Sequence, residues 1–270
     1  MNKQEKYTAA DHTFAVCAYK ESPYLEECIR SLLAQRVKSN IIVTTSTDNA
    51  FIRGMAEKYQ LPYFVNKGPG GIANDWNFAY GSSDTKLVTL AHQDDRYEPE
   101  YVADMLEHIN SSKDPLIYFT GYNELRNGEV VPNGTMVRIK RIMLTPLKPR
   151  VFQGMRFFKR LSLSFGNPVA CWSVCYIKDK LPSPVFVSEF RSNLDWEEWE
   201  KLSREKGAFV YSAKRLTLHR VHEGSETSNT INNGNIRGKE DYQMFLHFWP
   251  KWMAKFLMKF YIKAEKYNES

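Results

Sequence analysis

The sequence lacks the features of a secreted disulfide scaffold and of a membrane-spanning protein. Its four cysteines among 270 residues form no CxxC pair and are too sparse for a disulfide framework, so we expect buried thiols in a reducing compartment. No apolar run approaches the roughly 18 residues that span a bilayer. Residues 1–12 are polar, which argues against a signal peptide. These absences predict a cytoplasmic protein.

The chain also lacks the glycine-rich phosphate loop of dinucleotide-binding enzymes. Such enzymes carry G-x-G-x-x-G after their first strand, whereas residues 19–23 read YKESP. Acidic residues do not dominate either, because the net charge is +6. A modestly basic chain favours an anionic partner, but no nucleic-acid-binding motif accompanies the charge. We therefore expect no nucleic-acid partner.

Short apolar runs alternate with amphipathic stretches in the first half of the chain. Thr13–Tyr19 has the length of a buried strand, and the apolar residues from Leu25 to Leu33 recur at helical spacing. Further strands are predicted at Ile41–Thr45, Tyr63–Val65, Lys86–Leu90 and Leu116–Thr120. This alternation is typical of βαβ units, and it predicts an α/β fold with a mainly parallel central sheet flanked by helices.

The second half is less regular. Its pattern predicts strands at Ala170–Ile177, Phe209–Tyr211 and Leu216–Arg220, and a helix at Leu194–Glu205. Residues 223–238 are polar and rich in Asn and Gly, which predicts a loop. We divide the chain into a domain at residues 1–235 and an amphipathic helical tail at residues 236–270.

An acidic cluster follows a predicted strand directly. His92, Gln93, Asp94 and Asp95 come after Lys86–Leu90, and ligands of open α/β sheets bind at the carboxyl ends of strands. Adjacent carboxylates repel unless a cation compensates, and a hard ion such as Mg²⁺ or Mn²⁺ fits them. An Asp-Asp pair that caps the following helix explains the same residues about equally well.

Two later segments contain further candidate groups. Asp195 opens the predicted helix at 194–205 and could serve as a general base, although a helix-capping acid is the simpler explanation of that residue alone. Arg220 and His222 share one face of an extended segment, which suits a diphosphate or its metal. Such a pair is more often simply a polar face on the surface.

Five segments in this order resemble the inverting glycosyltransferases of family 2, which have the GT-A fold. The opening strand and helix of the family are similar to Phe14–Gln35, and its Asn-containing segment is similar to Asn66–Ala79. Its metal-binding Asp-x-Asp region resembles His92–Pro99. Its catalytic-base signature and its diphosphate element resemble Leu194–Trp196 and Arg220–Thr227.

The resemblance implies a GT-A domain that moves a sugar with inversion from a nucleotide-diphosphate sugar, UDP-linked by expectation, to an acceptor hydroxyl. The implied setting is cell-surface polysaccharide or glycolipid assembly, with a glycan or lipid-linked acceptor. Asp195 is the implied base, and Asp94 with Asp95 the implied ligands of Mn²⁺ or Mg²⁺. The donor-binding residues that it implies are Tyr19, Glu21, Asp48, Asp75, Asn77, Arg220 and His222.

Four positions depart from the family pattern. His92 replaces the first Asp of the metal motif, and Thr44-Thr45 replaces an acidic pair at the end of the second strand. Trp76 stands where an Arg is frequent, and Leu194 where a Glu precedes the base. These departures predict altered donor contacts. An inactive nucleotide-sugar binding module and a nucleotidyltransferase of related sheet architecture remain as alternatives.

The tail contains an aromatic stripe at helical spacing with lysines between its members. The stripe comprises Phe248, Trp249, Trp252, Met253, Phe256, Leu257 and Phe260. A basic amphipathic helix can lie on an anionic membrane, which would place the protein at the inner face of the membrane. Packing of the stripe on the domain or on a second subunit is the alternative.

Overall fold

The computed structural model describes residues 6–132, 134–222 and 234–266. Its strands are β1 His12–Ala18, β2 Asn40–Thr45, β3 Tyr63–Val65, β4 Leu87–His92, β5 Arg96–Tyr97, β6 Pro115–Arg126, β7 Glu129–Val131, β8 Cys175–Ile177 and β9 Ala208–Val221. Its α-helices are α1 Leu25–Leu33, α2 Ala50–Lys58, α3 Ile72–Gly81, α4 Tyr101–Ser111, α5 Thr135–Met143, α6 Arg156–Leu163, α7 Leu194–Arg204, α8 Gly234–Leu246 and α9 Lys251–Lys266.

The strands form one mixed sheet in the order β3-β2-β1-β4-β8-β6-β9-β5, with β7 paired to β6. β1, β2, β3 and β4 are parallel neighbours, and β6 runs parallel to β9. The short β8 joins these two parallel groups by antiparallel pairing on both sides. The predicted α/β fold with a central sheet is thereby confirmed.

The sheet lies between two apolar clusters. Side chains of β1 alternate between them, since Phe14 and Val16 join one cluster and Ala15 the other. The first cluster contains the apolar faces of α1, α2 and α4. The second contains residues of α3, α6, α7, α8 and α9. Because both faces are covered, the central strands are buried almost throughout.

The long pair β6 and β9 differs from the sequence prediction. Residues 208–221 form one strand rather than two, interrupted by a bulge at Ala213 and Lys214. Both bulge residues are exposed, and this breaks the apolar alternation that the prediction relied on. A Cβ at Gly121, opposite the bulge, would lie 3.1 Å from the carbonyl oxygen of Lys214, so glycine allows this close approach.

The C-terminal helices pack on the domain through part of their apolar surface. Met244 and Phe245 of α8 and Ala254 of α9 are fully buried in the second cluster. The aromatic stripe is divided, because Trp249 packs against this cluster whereas Trp252 is 68% exposed. The side chain of Phe260 and residues 223–233 of the loop predicted at 223–238 lie outside the described residues. The prediction is wrong for residues 234–238, which form the start of α8. No helix in the described ranges could cross a membrane.

Candidate active site

The loops that follow β1, β2 and β4 meet at one edge of the sheet because these strands are parallel. The side-chain amide of Gln93, after β4, accepts from the backbone N–H of Tyr19 at 3.0 Å and donates to its carbonyl at 2.9 Å. The N–H of Lys20 donates to Thr47 Oγ1 at 2.5 Å. The loop after β1 is thereby tied to both neighbouring loops.

Two predicted nucleoside-binding carboxylates lie near this edge. Asp75 accepts from Ser46 Oγ at 2.8 Å and from the amide of Asn66 at 2.9 Å. Asp48 accepts from Arg53 at 2.6 Å and from the Tyr63 hydroxyl at 2.7 Å. The hydrogen bond from Arg53 and, to a smaller extent, that from Tyr63 lower the pKa of Asp48. Both carboxylates thus accept two hydrogen bonds each at the edge.

The carboxylate of Asp94 and the imidazole of His222 face each other. Asp94 Oδ2 lies 3.1 Å from His222 Nε2, and each side chain is 23% exposed. Arg220 holds the backbone around them, since its Nε donates to the carbonyl of Asp94 at 3.0 Å and its Nη2 binds Glu27. Its guanidinium stacks over Tyr24 at 4.2 Å. The structure thus brings the predicted metal and diphosphate residues together.

Asp95 is buried against β9. Its Oδ1 accepts from the backbone N–H of Arg220 at 2.9 Å and lies 3.0 Å from His219 Nδ1. Its Oδ2 has no hydrogen-bond partner among the described residues and lies 4.0 Å from His92 Nδ1. The ring of His92 stacks on Trp76 at 5.1 Å, so two of the residues that depart from the family pattern contact each other. A metal-ligand role for Asp95 stays a prediction.

Asp195 lies at the start of α7, half-buried and hydrogen-bonded. Its Oδ2 accepts from the amide of Asn167 at 2.7 Å, and its Oδ1 accepts from the N–H of Trp196 at 2.8 Å. Burial raises the pKa of Asp195, and the hydrogen bond from Asn167 is the largest of the effects that oppose the rise. Lys140 and Arg237 also oppose it through their charges.

Residues of α8 support the N-terminus of α7. The carboxylate of Glu240 accepts from the backbone N–H groups of Arg191, Ser192 and Asn193 at 2.8, 2.8 and 3.1 Å. The side chain of Asn193 donates to Asp241 at 2.7 Å. Both acids are buried, and an acid at this end also complements the helix dipole. The segment that leads to Asp195 is therefore fixed by groups more than 40 residues later in the chain.

One short segment connects Asp195 to the Asp94 region. It begins at Asn167, the hydrogen-bond donor to Asp195, and ends at Trp172, which stacks on His219 with 4.0 Å between ring centres. Trp172 also contacts the ring of His92 at 6.0 Å. Five residues of chain span at most about 18 Å. The segment 167–172 therefore links the two groups of polar side chains.

The model of glycosyl transferase family 2 matches residues 13–174, which is more than half of the chain. The chain belongs to this family. A search among curated proteins gives no match. Asp94 and Asp95, the predicted metal ligands, lie within the matched range, whereas Asp195 and His222 lie beyond it.

Solved structures show the same fold at low sequence identity. Residues 1–349 of TarS from S. aureus in complex with UDP-GlcNAc give a TM-score of 0.62 at 16% identity, covering 92% of this chain and 70% of that chain. Mannosyltransferase PcManGT from Pyrobaculum calidifontis in complex with GDP-Man and Mn²⁺ gives 0.58 at 13%, covering 95% and 71%. Glucosyl-3-phosphoglycerate synthase from Mycobacterium tuberculosis with UDP gives 0.54 at 11%, covering 81% and 74%.

The residues of this glycosyltransferase offer two places for a metal ion. Asp94 and His222 present an oxygen and a nitrogen ligand side by side, and with phosphate oxygens this donor set fits Mn²⁺ better than Mg²⁺, which prefers oxygen ligands alone. Asp104, Glu107 and His108 also bring ligand atoms within 4.8 Å of one another. However, Asp104 already binds Lys214 at 2.6 Å. The first place therefore fits a catalytic ion better.

The remaining predicted donor residues make different contacts. Glu21 is exposed on the loop after β1. The amide of Asn77 donates to the carbonyl of Phe186 at 2.7 Å and accepts from its N–H at 2.9 Å, and the Phe186 ring packs on Trp76. Asn77 thus holds the backbone of Phe186 against α3. Direct donor contacts of Glu21 and Asn77 stay predictions.

Sequence reasoning did not identify Asn167, Trp172 or Glu240. Each acts through a contact with a residue at least 28 positions away in the chain. None of them stands in a motif that signals such a role. The hydrogen bond between Asn167 and Asp195 could be predicted only once the packing of the segment before β8 against α7 is known.

Proposed function

We propose that the protein transfers a sugar, with inversion, from a UDP-linked donor to a hydroxyl of a glycan or lipid-linked acceptor in cell-surface polysaccharide or glycolipid assembly. The observation that carries this proposal is the short segment 167–172, which links the half-buried Asp195 to the side chains around the pair Asp94–His222. Direct displacement needs a base on one side of the sugar and support for the departing diphosphate on the other.

Asp195 would take the proton of the acceptor hydroxyl. Burial raises the pKa of its carboxylate, and a base of higher pKa removes a proton more effectively while it is ionised. Each oxygen accepts one hydrogen bond in the structure, so lone pairs remain for the acceptor. Asn167 fixes the direction in which the carboxylate points. These features support Asp195 as the base.

The departing diphosphate would bind beside Asp94 and His222. These residues would hold the divalent ion, which supplies Lewis-acid stabilisation of the leaving group when it is bound. Arg220 is engaged with Glu27 and with the carbonyl of Asp94, so we assign it mainly to positioning that loop. Tyr19, Asp48 and Asp75 would face the nucleoside from the loops after β1 and β2 and from α3.

Calorimetry tests the donor class without knowledge of the acceptor. UDP should bind more tightly with Mn²⁺ than with EDTA, and UDP-sugars should raise the melting temperature because ligands stabilise the state they bind. A panel of UDP-, GDP- and ADP-linked sugars identifies the nucleotide. Equal affinity for UDP with Mn²⁺ and with EDTA would contradict the metal role, and preference for another nucleotide would replace the UDP assignment.

A further inference from the structure

The charge of the protein is unevenly distributed between Thr135 and Gly166. This segment of α5, α6 and the turns between them contains eight Lys or Arg residues and no Asp or Glu. A chain with 31 acidic residues among 270 would place about four in a stretch of this length. The segment therefore differs from the rest of the protein and needs an explanation other than average composition.

Most of these cations are exposed and without an acidic partner. Arg138, Arg141, Lys148, Arg150 and Arg156 are exposed and form no ion pair with the described residues. Lys159 is buried and donates to the carbonyls of Glu205 and Gly207, and Arg160 pairs with Glu200. Five uncompensated cations remain on the surface, and they raise the local positive potential.

Large apolar side chains are exposed among the same cations. Val151 is 74% exposed, Ile142 71% and Phe157 67%, and Met155 and Phe165 are about half exposed. Single exposed apolar residues are ordinary, whereas contiguous apolar patches mark interaction sites, and these five side chains lie within 24 residues of chain. The combination of uncompensated cations and exposed apolar side chains is typical of proteins that lie on anionic lipid.

The C-terminal helix extends this surface. The rings of Phe165 and Trp249 are 5.3 Å apart, and a Cβ at Gly166 would lie 3.1 Å from the ring of Tyr261 and 3.3 Å from Met143. The end of α5, the turn at 165–166 and α9 therefore meet. Beyond this contact, α9 exposes Trp252 and Phe256 together with Lys251, Lys255 and Lys259.

We propose that an anionic lipid bilayer docks on the surface formed by residues 138–165 and by α9, which we call the basic-apolar surface. Two copies of the chain would not pair through it readily, because a symmetric contact would bring its cations together. Nucleic acid explains the charge but not exposed Val, Ile and Met side chains, which offer no stacking plane. Lipid explains both, since cations bind headgroups and apolar side chains enter the acyl boundary.

The surface also adjoins the base. Asn167, which binds Asp195, follows Phe165 by two residues, and the carbonyl of Leu163 accepts from the Trp196 indole at 3.1 Å. Lys140 of α5 is close enough to act on the charge of Asp195. A docked bilayer would therefore lie beside Asp195. It would select a membrane-borne acceptor, an inference that rests on the proposed function of Asp195 as the base.

Vesicle co-sedimentation of the full chain tests the docking without any assay of transfer. At low salt the protein should bind vesicles that contain phosphatidylglycerol and not vesicles of phosphatidylcholine alone, and high salt should release it. Arg150→Glu with Arg156→Glu should weaken partitioning at least about tenfold. Lys113→Glu with Lys206→Glu, two exposed cations elsewhere, changes the net charge equally and should have a much smaller effect.

A second pair of variants tests the contribution of apolar side chains to vesicle binding. Val151→Ser should weaken partitioning, whereas Val130→Ser on β7, 47% exposed, should not. No binding to anionic vesicles, equal effects of the two charge pairs, or tighter binding of single-stranded DNA than of vesicles would each overturn the proposal. UDP binding measured on the same preparations keeps a failure of docking distinct from a failure of the proposed function.

Discussion

Asp94 follows strand β4, and Asp195 lies at the start of helix α7. The two residues are held in place by different kinds of contact. Asp94 comes after a strand whose parallel neighbours end at the same edge, so the topology alone brings it near Tyr19 and the loop after β2. Asp195 depends on Asn167 before β8 and on Glu240 of α8. The proposed donor side, around Asp94, is therefore fixed by the sheet. The proposed acceptor side, at Asp195, is fixed by packing of later segments.

The largest expected effect is the loss of sugar transfer when the proposed base, Asp195, is disabled. Asp195→Asn keeps the shape of the side chain but cannot accept a proton, so transfer should fall by about 10²–10⁴-fold. UDP affinity and melting temperature should stay close to those of the wild type, because the donor side is untouched. Product formation and calorimetry on one preparation measure both.

Glu197→Gln is the matched control for Asp195→Asn. Glu197 lies two residues later on α7 and pairs with Lys201 at 3.2 Å, so its amide variant should retain turnover. Near-wild-type transfer by Asp195→Asn would show that another group is the base.

The next largest effect is a loss of metal-dependent UDP affinity when Asp94 is changed. Asp94→Asn should lower UDP affinity in Mn²⁺ at least about tenfold, since loss of outer-shell partners alone costs that much at metal sites. The same change should not alter UDP affinity in EDTA. Glu107→Gln, in the other group of ligand atoms, should leave both affinities unchanged.

The variant Asp95→Asn distinguishes two possible roles of Asp95, that of a metal ligand and that of an acid that stabilises the fold. If Asp95 serves mainly to hold β9, this variant should lower the melting temperature more than Asp94→Asn does, because it weakens two buried hydrogen bonds. A loss of Mn²⁺-dependent binding as large as that of Asp94→Asn, without destabilisation, would instead identify Asp95 as a ligand.

A smaller effect should appear in the pH profile of Asn167→Ala. The hydrogen bond from Asn167 lowers the pKa of Asp195, so its removal raises that pKa further. The base acts when ionised, and the acidic limb of kcat/KM should therefore move to higher pH, with a loss of about tenfold or less at the optimum. Asn167→Ser retains a donor and should shift the limb less. An unmoved limb would remove Asn167 from the positioning of the base.

The smallest effect on turnover is expected for Glu198→Gln. Burial raises the pKa of Glu198 to about 7 in the folded protein from an ordinary value of 4.5. The folded state thus holds this proton more tightly, and the free energy of unfolding falls as pH rises from about 4.5 to about 7. Glu198→Gln should be more stable than the wild type at pH 8 by on the order of 1–3 kcal/mol, and equally stable near pH 4.5.

Urea unfolding at both pH values measures the difference. Glu57→Gln, which removes an exposed carboxylate on α2, is the control for the loss of one acidic charge. Equal stability of Glu198→Gln and the wild type at pH 8 would show that the buried carboxyl is not strained by ionisation.

These contrasts explain which parts of the structure could be predicted from the sequence. The apolar face of α1 and the buried strands β1 and β4 follow from local periodicity, and strand ends place Asp94 on the binding edge. Asn167 and Glu240 could not be found in this way, because their roles depend on packing between distant segments. The division of the chain at residues 235 and 236 stays a prediction, although Glu240 lies on the tail side of it.

Glu240 has a consequence for the order in which the enzyme matures. Until α8 has folded, three backbone N–H groups before α7 lack their acceptor, and the segment that carries Asp195 lacks its anchor. A nascent chain whose first 222 residues have emerged can already assemble the sheet edge. It would hold the groups assigned to the nucleotide before it holds those assigned to catalysis. The ability to transfer a sugar would then arise only when α8 closes on α7.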